Sequence, residues 1–182
     1  MHSVDLAPAT AADAPFVAAI ARDAIPLYDR LLPGAFERFA AKVEREGLPP
    51  AYRVSLVRLD GRPVGFAGLD DALPGGVVYL AALYLGEAER RRGIGGAALE
   101  AIAATATAAG ARELVLLVHR DATWASAFYE ARQFHFVTDD PTAIRGYAAG
   151  ALARHALPET TPVRLLRRVL CGSEVGSRSK YP

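Results

Sequence analysis

The sequence predicts a mixed α/β fold, with a mostly antiparallel central sheet of about six to seven strands flanked by helices. The first observation is a pair of alternating apolar and polar segments, 51–60 and 62–70, joined by the hairpin signal Asp60-Gly61. The second is a pair of apolar segments, 77–85 and 112–119, with a helical segment between them. Hairpins give antiparallel neighbours and a helical crossover gives a parallel pair, so we expect both in one sheet.

The N-terminal elements are a short strand followed by two helices. The strand is predicted over 3–7. Thr10 and Asp13 then form an imperfect capping box ahead of the first helix. Apolar residues keep helical spacing until Pro26, which is expected to end that helix. A second helix with an apolar stripe is predicted over 33–46.

The C-terminal half alternates between helices and strands. Gly110 is the expected C-cap of the helix that begins near Gly93. No internal repeat or linker divides the chain, so we expect a single domain over 1–171 and a disordered tail at 172–182. The predicted elements are a helix at 93–109, a strand at 112–119, a helix at 122–132, a strand at 134–138, a helix around 148–157 and a strand at 162–170.

Composition excludes several classes of function. The 182 residues are 52% hydrophobic and 23% charged, with a formal net charge of +1, so no overall field attracts nucleic acid. The single cysteine, Cys171, excludes a disulfide framework and indicates a reducing compartment. No secretory signal and no apolar run of about 20 residues is present, so we expect a cytoplasmic protein away from membranes. The histidines lack metal-ligand spacing, and no metal is expected.

The most unusual segment joins three consecutive arginines to a glycine-rich helix start. A helix N-terminus offers unpaired N–H groups and the positive end of the helix dipole. Glycines allow close approach to that backbone, and arginines add positive charge beside it. These features predict an anion-binding loop. Its residues are Arg90, Arg91, Arg92, Gly93, Ile94, Gly95 and Gly96.

Two nucleotide-binding motifs fit this loop poorly. The segment GIGGAA satisfies the dinucleotide pattern G-x-G-x-x-G/A, and Glu113 lies 20 residues after Gly93. However, the polar stretch GEAERRR separates the glycines from the preceding strand, and the earlier strands are not β–α–β units. A dinucleotide-dependent oxidoreductase is therefore a remote alternative. The Walker pattern fails because no Gly-Lys-Ser/Thr follows.

A better match is R-x-x-G-x-G, from Arg90 to Gly95: the strand ahead of it ends LYL, and the helix follows immediately. Downstream, ATWASAFYEARQFHF is similar to N-x-x-A-x-x-F-Y-x-x-x-G-F through Ala125, Phe128, Tyr129 and Phe134. With both motifs in this order, the chain resembles the GCN5-related N-acetyltransferase (GNAT) superfamily over residues 51–138. The resemblance implies acetyl transfer from acetyl-CoA directly to a primary amine, and a splayed parallel strand pair that holds the cofactor.

The resemblance also implies positions for the cofactor. The loop backbone would hold the pyrophosphate, with the arginines at its rim. Leu83 and Leu85 would offer backbone groups to the pantetheine arm, and an N–H near Leu85 would face the thioester carbonyl. Phe128 belongs to the second motif. The motif's asparagine is replaced by Ala122, and Thr123 or Asp121 is the candidate substitute.

For catalysis, the resemblance implies that Tyr129 protonates the departing thiolate. The base is open. Many relatives carry a glutamate near the position of Tyr79, but the strand 77–85 has no carboxylate. His119 is one candidate, since an imidazole titrates near neutrality. Tyr79, Tyr84, Asp70 and a water chain are the others.

The amine acceptor is expected over the N-terminal helices and the segment 141–160, and the sequence does not identify it. The missing strand carboxylate keeps a non-catalytic acyl-CoA sensor or assembly module as the alternative function. A homodimer is also open: the strand 162–170 comes last and has a long apolar face, so it would either pair with a second subunit or close the sheet.

Overall fold

A computed structural model of the chain describes residues 3–155 and 160–170. Seven strands in these residues form one sheet, and helices flank it. The strands are β1 (Val4–Pro8), β2 (Arg53–Leu59), β3 (Arg62–Leu73), β4 (Val77–Leu85), β5 (Glu113–His119), β6 (His135–Thr138) and β7 (Val163–Val169). The α-helices are α1 (Ala14–Asp23), α2 (Ile25–Tyr28), α3 (Ala35–Glu46), α4 (Ile94–Ala108), α5 (Thr123–Glu130) and α6 (Pro141–Gly146).

The strand order is β1-β2-β3-β4-β5-β7-β6, and only the pair of β4 and β5 is parallel. The predicted mixed, mostly antiparallel sheet is therefore confirmed. A doubly wound dinucleotide-binding domain would instead have a largely parallel sheet. In 3–155 and 160–170, no helix is long and apolar enough to cross a membrane.

The hairpin between β2 and β3 forms where the sequence predicts it. Asp60 and Gly61 both have positive φ, at 50° and 81°. Two successive residues in this region define the type I′ turn, whose twist matches that of the flanking strands. The turn fixes the register that pairs Leu59 with Arg62.

The first helices differ from the prediction at Pro26. The carboxylate of Asp13 accepts hydrogen bonds from the N–H and the hydroxyl of Thr10, at 2.7 and 2.8 Å, and the first of these is a bond of the capping box. However, α1 ends at Asp23, and Pro26 lies in the first turn of α2. Proline is tolerated there because its missing N–H has no helical partner in a first turn.

The prediction of a helix around 148–157 is correct only for Ala151–His155, which form a 3₁₀ helix. α6 comes earlier in the segment. Ala148, Ala149 and Gly150 have φ values of 52°, 57° and 82°, which no right-handed helix accommodates. Residues 156 and 157 of that prediction, and the predicted tail at 172–182, lie outside the described residues.

The last strand does not offer a free edge. β7 pairs with β5 on one side and with β6 on the other. It is an internal strand, so dimer formation through its edge is excluded, and the homodimer itself stays a prediction. Neither alternative describes it, since β7 lies inside the sheet and β6 forms the edge.

Two hydrophobic layers cover the sheet. One face packs against α4 and α5, with Leu99, Ile102 and Leu116 nearly inaccessible to solvent. The other face packs against α1 and α3 beside β2 and β3, through Val17 and Phe66. Farther along that second face, the segment between β6 and β7 covers β4 and β5. The junction of these layers lies where β4 and β5 separate.

Candidate active site

β4 and β5 are parallel neighbours for only part of their length. Their register covers three pairs, ending with Tyr79 opposite Val115. Beyond this point β4 continues to Leu85 and β5 to His119 without pairing to each other. The expected splayed pair is therefore present, and the backbone edges of both strands line a gap.

A β-bulge in β4 marks the start of this gap. Gly68 of β3 pairs with Ala82 and Leu69 pairs with Leu80, so Ala81 is an extra residue in β4. A bulge changes which residues share a face of the strand. Tyr79 and Tyr84, five positions apart, both face away from α4 as a result.

The backbone of β4 beyond the bulge offers free polar groups to the gap. The N–H of Gly86 donates to the carbonyl oxygen of Val64 at 2.9 Å, so the backbone of residue 86 faces β3. Successive residues of a strand direct their N–H and C=O groups to opposite sides. The N–H groups of Leu83 and Leu85 and the carbonyl of Leu83 therefore face the gap, while the carbonyl of Leu85 accepts from Arg90 Nε. The pantetheine contacts that the resemblance implies for these residues stay a prediction.

The arginine–glycine loop leads from this strand end into α4. Arg91 and Gly93 have positive φ, at 60° and 81°, and Gly93 is the N-cap residue without any side-chain cap. The helix opens with the Ala97 N–H bonded to Gly93 O at 3.1 Å. The preceding N–H groups at the helix start lack such partners, as helix geometry dictates, and are available to an anion.

The three arginines have different partners. Arg90 donates from Nε to the carbonyl oxygen of Leu85 at 3.2 Å, and from its terminal nitrogen to that of Asp23. Arg92 pairs with the buried carboxylate of Glu89, which also accepts from Arg62. Arg91 has no ion pair or side-chain hydrogen bond with any residue in 3–155 or 160–170. The phosphate-binding role of all three stays a prediction, and within the described residues Arg91 is the one whose guanidinium has no partner.

The helix start is packed tightly against α5. A Cβ on Gly95 would lie 3.4 Å from Phe128 Cζ and 3.6 Å from Leu85 Cδ1. A Cβ on Gly96 would lie 2.9 Å from Arg132 Nε. These glycines permit close contact between the first turn of α4 and the second motif.

Arg132 is a cation beside the loop that sequence reasoning missed. Its guanidinium lies 4.0 Å from the centroid of the Phe128 ring and donates to Phe128 O at 2.7 Å. The only sequence signal is its spacing of four residues from Phe128, a helical neighbour. Arg132 thus adds positive charge at the start of α4.

Two other predicted cofactor residues are placed differently. Ile94 buries its side chain among Val57, Val64 and Ala98, so only its backbone faces the loop. Thr123 is the exposed first residue of α5. Its contact with the cofactor stays a prediction.

Tyr129 lies at the gap with three other tyrosines. Its ring packs edge-on against Phe128 and Phe134. Its hydroxyl forms no hydrogen bond with the described residues, which leaves it free for another partner. Burial raises the pKa of the Tyr129 phenol, and electrostatic interaction with Tyr28 raises it further. The phenol therefore stays protonated at neutral pH, as an acid must before it acts.

The other tyrosines interact with Tyr129 across the gap. Burial raises the pKa values of Tyr79 and Tyr84, and Tyr129 contributes to both shifts. Burial also raises the pKa of Tyr28 to about 12, with Arg90 opposing the shift. Tyr28 packs on Trp124 of α5, with ring centroids 4.9 Å apart. Aromatic side chains from α2, β4 and α5 thus meet where the strands separate.

His119, a candidate base, is engaged in a turn. Its side chain is buried at the end of β5, and its Nδ1 accepts from the N–H of Asp121 at 3.2 Å. This contact stabilises the turn into α5 and uses the lone pair that would take a proton. The catalytic role of His119 stays a prediction, and the observed contact is a structural one.

Asp70, another candidate base, belongs to a polar cluster on the opposite face of β4 from α4. Its buried carboxylate accepts from Arg154 Nε at 2.9 Å and contacts His155 Nε2 at 2.5 Å. Burial raises the pKa of Asp70, but the hydrogen bonds from Arg154, the Ala72 N–H and His155 outweigh it and lower the pKa overall. Among the described residues, no group of three or more histidine, cysteine or acidic side chains is arranged to hold a metal ion.

The structure thus combines a splayed parallel strand pair with a glycine-rich loop that leads into the N-terminus of α4. Comparison with known families identifies the class of domain. Residues 19–136 match the acetyltransferase (GNAT) family, and this is well over half of the chain. The chain therefore belongs to the GNAT family of acetyltransferases. Comparison with curated proteins gives no match.

Solved structures of the same fold agree with this assignment. An acetyltransferase from Thermus thermophilus is 26% identical, with a TM-score of 0.67 over 93% of this chain and 100% of its own. The PaiA N-acetyltransferase from Thermoplasma acidophilum, in complex with coenzyme A, is 17% identical with a TM-score of 0.68, over 92% and 99%. The ribosomal-protein-S18-alanine N-acetyltransferase from Escherichia coli is 18% identical with a TM-score of 0.64, over 100% of both chains.

Proposed function

We propose that the protein transfers the acetyl group of acetyl-CoA to the nitrogen of a primary amine. The observation that carries this proposal is the open edge of β4 directly ahead of the loop that starts α4. Family membership and the coenzyme A bound in the similar Thermoplasma structure support the same cofactor. The resemblance to the family implies a primary amine as the acceptor, and for this chain that acceptor is part of the proposal.

The cofactor would lie along the gap with its two ends held differently. The pyrophosphate binds the N–H groups at the start of α4, with Arg91 and Arg132 supplying charge. The pantetheine amides pair with the backbone groups of Leu83 and Leu85 that face the gap. This orientation brings the thioester to the bulge in β4.

Chemistry at the thioester follows from the same backbone. The amine nitrogen attacks the carbonyl carbon, and a backbone N–H of β4 that faces the gap near the bulge donates to the developing oxyanion. Such a donor is typically worth about 3 kcal/mol of barrier lowering. The carbon–sulfur bond then breaks, the thiolate takes the proton of the Tyr129 hydroxyl, and the Tyr129 phenolate takes the extra proton of the adduct nitrogen. The acceptor would approach from the side of α1–α3 and the segment 141–155.

A second candidate function is a non-catalytic acyl-CoA sensor. The observation that favours it is the absence of any carboxylate on β4, whose sequence is VVYLAALYL. A sensor would bind acetyl-CoA in the same gap without accepting a proton from an amine.

Two measurements separate these functions. Thermal unfolding is followed with acetyl-CoA, free CoA or NAD, since a ligand at about 100 times its Kd adds about 2.7 kcal/mol to stability. CoA thiol release is then measured with a panel of primary amines. Stabilisation by acetyl-CoA with turnover on an amine is the expected result. Stabilisation without turnover on any amine would favour the sensor, and stabilisation by NAD alone would overturn both.

A further inference from the structure

The segment between β6 and β7 brings a buried histidine to β4. The ring of His155 stacks on that of Tyr79, with centroids 4.4 Å apart and planes 23° apart. The His155 side chain is only 2% exposed. Its imidazole therefore lies against the strand position where the family resemblance places a carboxylate and this chain has a tyrosine.

Both nitrogens of this imidazole have polar partners. Nε2 lies 2.5 Å from Oδ2 of Asp70, and Nδ1 lies 3.2 Å from the hydroxyl of Tyr52. An ionised carboxylate only accepts hydrogen bonds, so the proton of a neutral His155 is on Nε2. Its Nδ1 then carries the lone pair and accepts the hydrogen bond of the Tyr52 phenol.

Arg154 fixes the charge state of this arrangement. Its Nε donates to Oδ2 of Asp70 at 2.9 Å and lies 3.2 Å from Nε2 of His155. The shorter contact between His155 and Asp70 requires the proton on Nε2, so the guanidinium bonds to the carboxylate rather than to the imidazole. Asp70 thereby remains an anion facing His155.

Tyr52 lies beside β3, close to the bulge in β4. Its Cβ lies 3.8 Å from where a Cβ on Gly68 would stand, and Gly68 pairs with Ala82 next to the bulge. Its half-buried side chain packs both on the cluster of α1 and α3 and on the segment between β6 and β7. The Tyr52 phenol interacts electrostatically with Tyr79, and Tyr79 with Tyr129. Tyr52 therefore stands on the side from which an acceptor would enter.

We propose that Tyr52, His155 and Asp70 form the proton relay that deprotonates the amine, and so replace the carboxylate that β4 lacks. This proposal rests on the acetyltransferase function proposed above. The ammonium N–H bond breaks and its proton passes to the Tyr52 oxygen, while the Tyr52 O–H proton passes to Nδ1 of His155. Asp70 stabilises the imidazolium through Nε2. The neutral amine then attacks the thioester, and the relay returns its proton to solvent after product leaves.

Tyr52 is the catalytic residue of this relay, and His155 and Asp70 act through it as positioning residues. The groups that face His155 are Asp70 on β3, Tyr79 on β4, Tyr52 ahead of β2, and the neighbouring Arg154. In a hydroxyl–imidazole–carboxylate series of this kind, the imidazole takes the proton of the hydroxyl and the carboxylate stabilises the imidazolium that forms.

The test compares Tyr52→Phe and His155→Gln with wild type, using acetyl-CoA and the best amine of the panel. Removing general base catalysis typically costs about 100-fold or more, so kcat/KM at pH 7 should fall about 100-fold in both variants. The Kd for acetyl-CoA should stay unchanged. The defect should shrink at about pH 9.5, because a larger fraction of an alkylamine with a pKa of about 10.4 is then already neutral.

Tyr147→Phe is the matched control. Tyr147 lies in the same segment, but its hydroxyl donates to a carboxylate oxygen of Glu113 at 2.7 Å rather than to a relay residue, so this variant should keep wild-type kcat/KM. If the wild type is active, two results would overturn the relay but not the acetyltransferase function. One is a kcat/KM of Tyr52→Phe within threefold of the wild-type value, and the other is a loss of kcat/KM that is equal at both pH values. A wild type that binds acetyl-CoA but acetylates no amine would overturn the proposed function and the relay with it.

Discussion

The guanidinium of Arg90 joins the end of β4 to the end of α1. Its Nε donates to the carbonyl oxygen of Leu85 at 3.2 Å, and its terminal nitrogen donates to that of Asp23. Asp23 is the last residue of α1, and its carboxylate accepts from the N–H of Glu87 at 3.2 Å. These contacts fix the loop between the cofactor strand and the helix layer, which is a structural task distinct from binding a phosphate directly.

Arg90→Met should therefore lower stability as well as cofactor affinity. The substitution keeps the apolar stem but removes two charge-assisted hydrogen bonds, each worth about 1.5–3 kcal/mol. Urea unfolding should show a loss of about 3 kcal/mol, the low end of that range for two such bonds, and CoA titration should show weaker binding. Arg91→Met is the control and should leave unfolding unchanged, since Arg91 has no partner within 3–155 or 160–170. Weaker CoA binding at full stability would instead make Arg90 a direct phosphate ligand.

Gly95→Val should weaken CoA binding more than Arg92→Ala. A Cβ at residue 95 already lies 3.4 Å from Phe128 Cζ, so a larger side chain would separate α4 from α5 and move the N–H groups at the helix start. Arg92 is exposed and paired with Glu89, so its removal changes the loop less. We expect at least a tenfold rise in Kd for Gly95→Val and less than about threefold for Arg92→Ala, or about 1.4 against 0.6 kcal/mol. Isothermal titration with CoA measures both. Equal losses would indicate binding by diffuse charge.

Tyr129→Phe should reduce kcat about 100-fold, because a general acid contributes about that factor or more. The KM for acetyl-CoA should change little, because the ring contacts with Phe128 and Phe134 remain. Steady-state CoA release at pH 7 checks this. A variant with wild-type kcat would remove Tyr129 from the mechanism and leave thiolate protonation to water.

The sequence predicts the cofactor side of the domain better than the acceptor side. The hairpin at Asp60-Gly61, the limits of β4 and the glycine that follows α4 are local signals, and the structure confirms them. The hydrophobic periodicity of the sequence does not show that β4 and β5 separate, and only the resemblance to the GNAT superfamily predicts it. The bulge at Ala81 is likewise hidden, since an extra residue in a continuous apolar run leaves no mark in the sequence.

His155 could not have been found from the sequence. Its segment has no helical or strand periodicity, and the positive φ values of Ala148 and Ala149 depend on tertiary contacts rather than on residue type. The partners Tyr52 and Asp70 lie 103 and 85 residues away along the chain. Arg132 was missed for a related reason: its spacing from Phe128 is visible, but the approach of α5 to Gly96 is not.

Asp70→Asn should lower the free energy of unfolding at neutral pH, and this loss should be smaller in acid. Because the pKa of Asp70 is lower in the folded than in the unfolded chain, the carboxylate stabilises the fold above the ordinary value of 3.8, and this stabilisation is lost as the pH falls below it. The substitution replaces the anion that Arg154 and His155 contact, and charged hydrogen bonds of this kind are worth about 2 kcal/mol.

Urea unfolding of wild type and Asp70→Asn at pH 7 and at about pH 3 measures this difference. The free energies of unfolding should differ by about 2 kcal/mol at pH 7, and the gap should narrow at about pH 3, where the wild-type carboxyl also begins to lose its charge. Asp71→Asn is the matched control: Asp71 is exposed and pairs only with the exposed Arg53 among the described residues, and such pairs contribute about 0–1 kcal/mol. If the difference in free energy of unfolding between wild type and Asp70→Asn stays constant with pH, the Asp70 side chain stabilises the fold through its packing rather than its charge. The negative charge would then have no part in holding His155 against Tyr79.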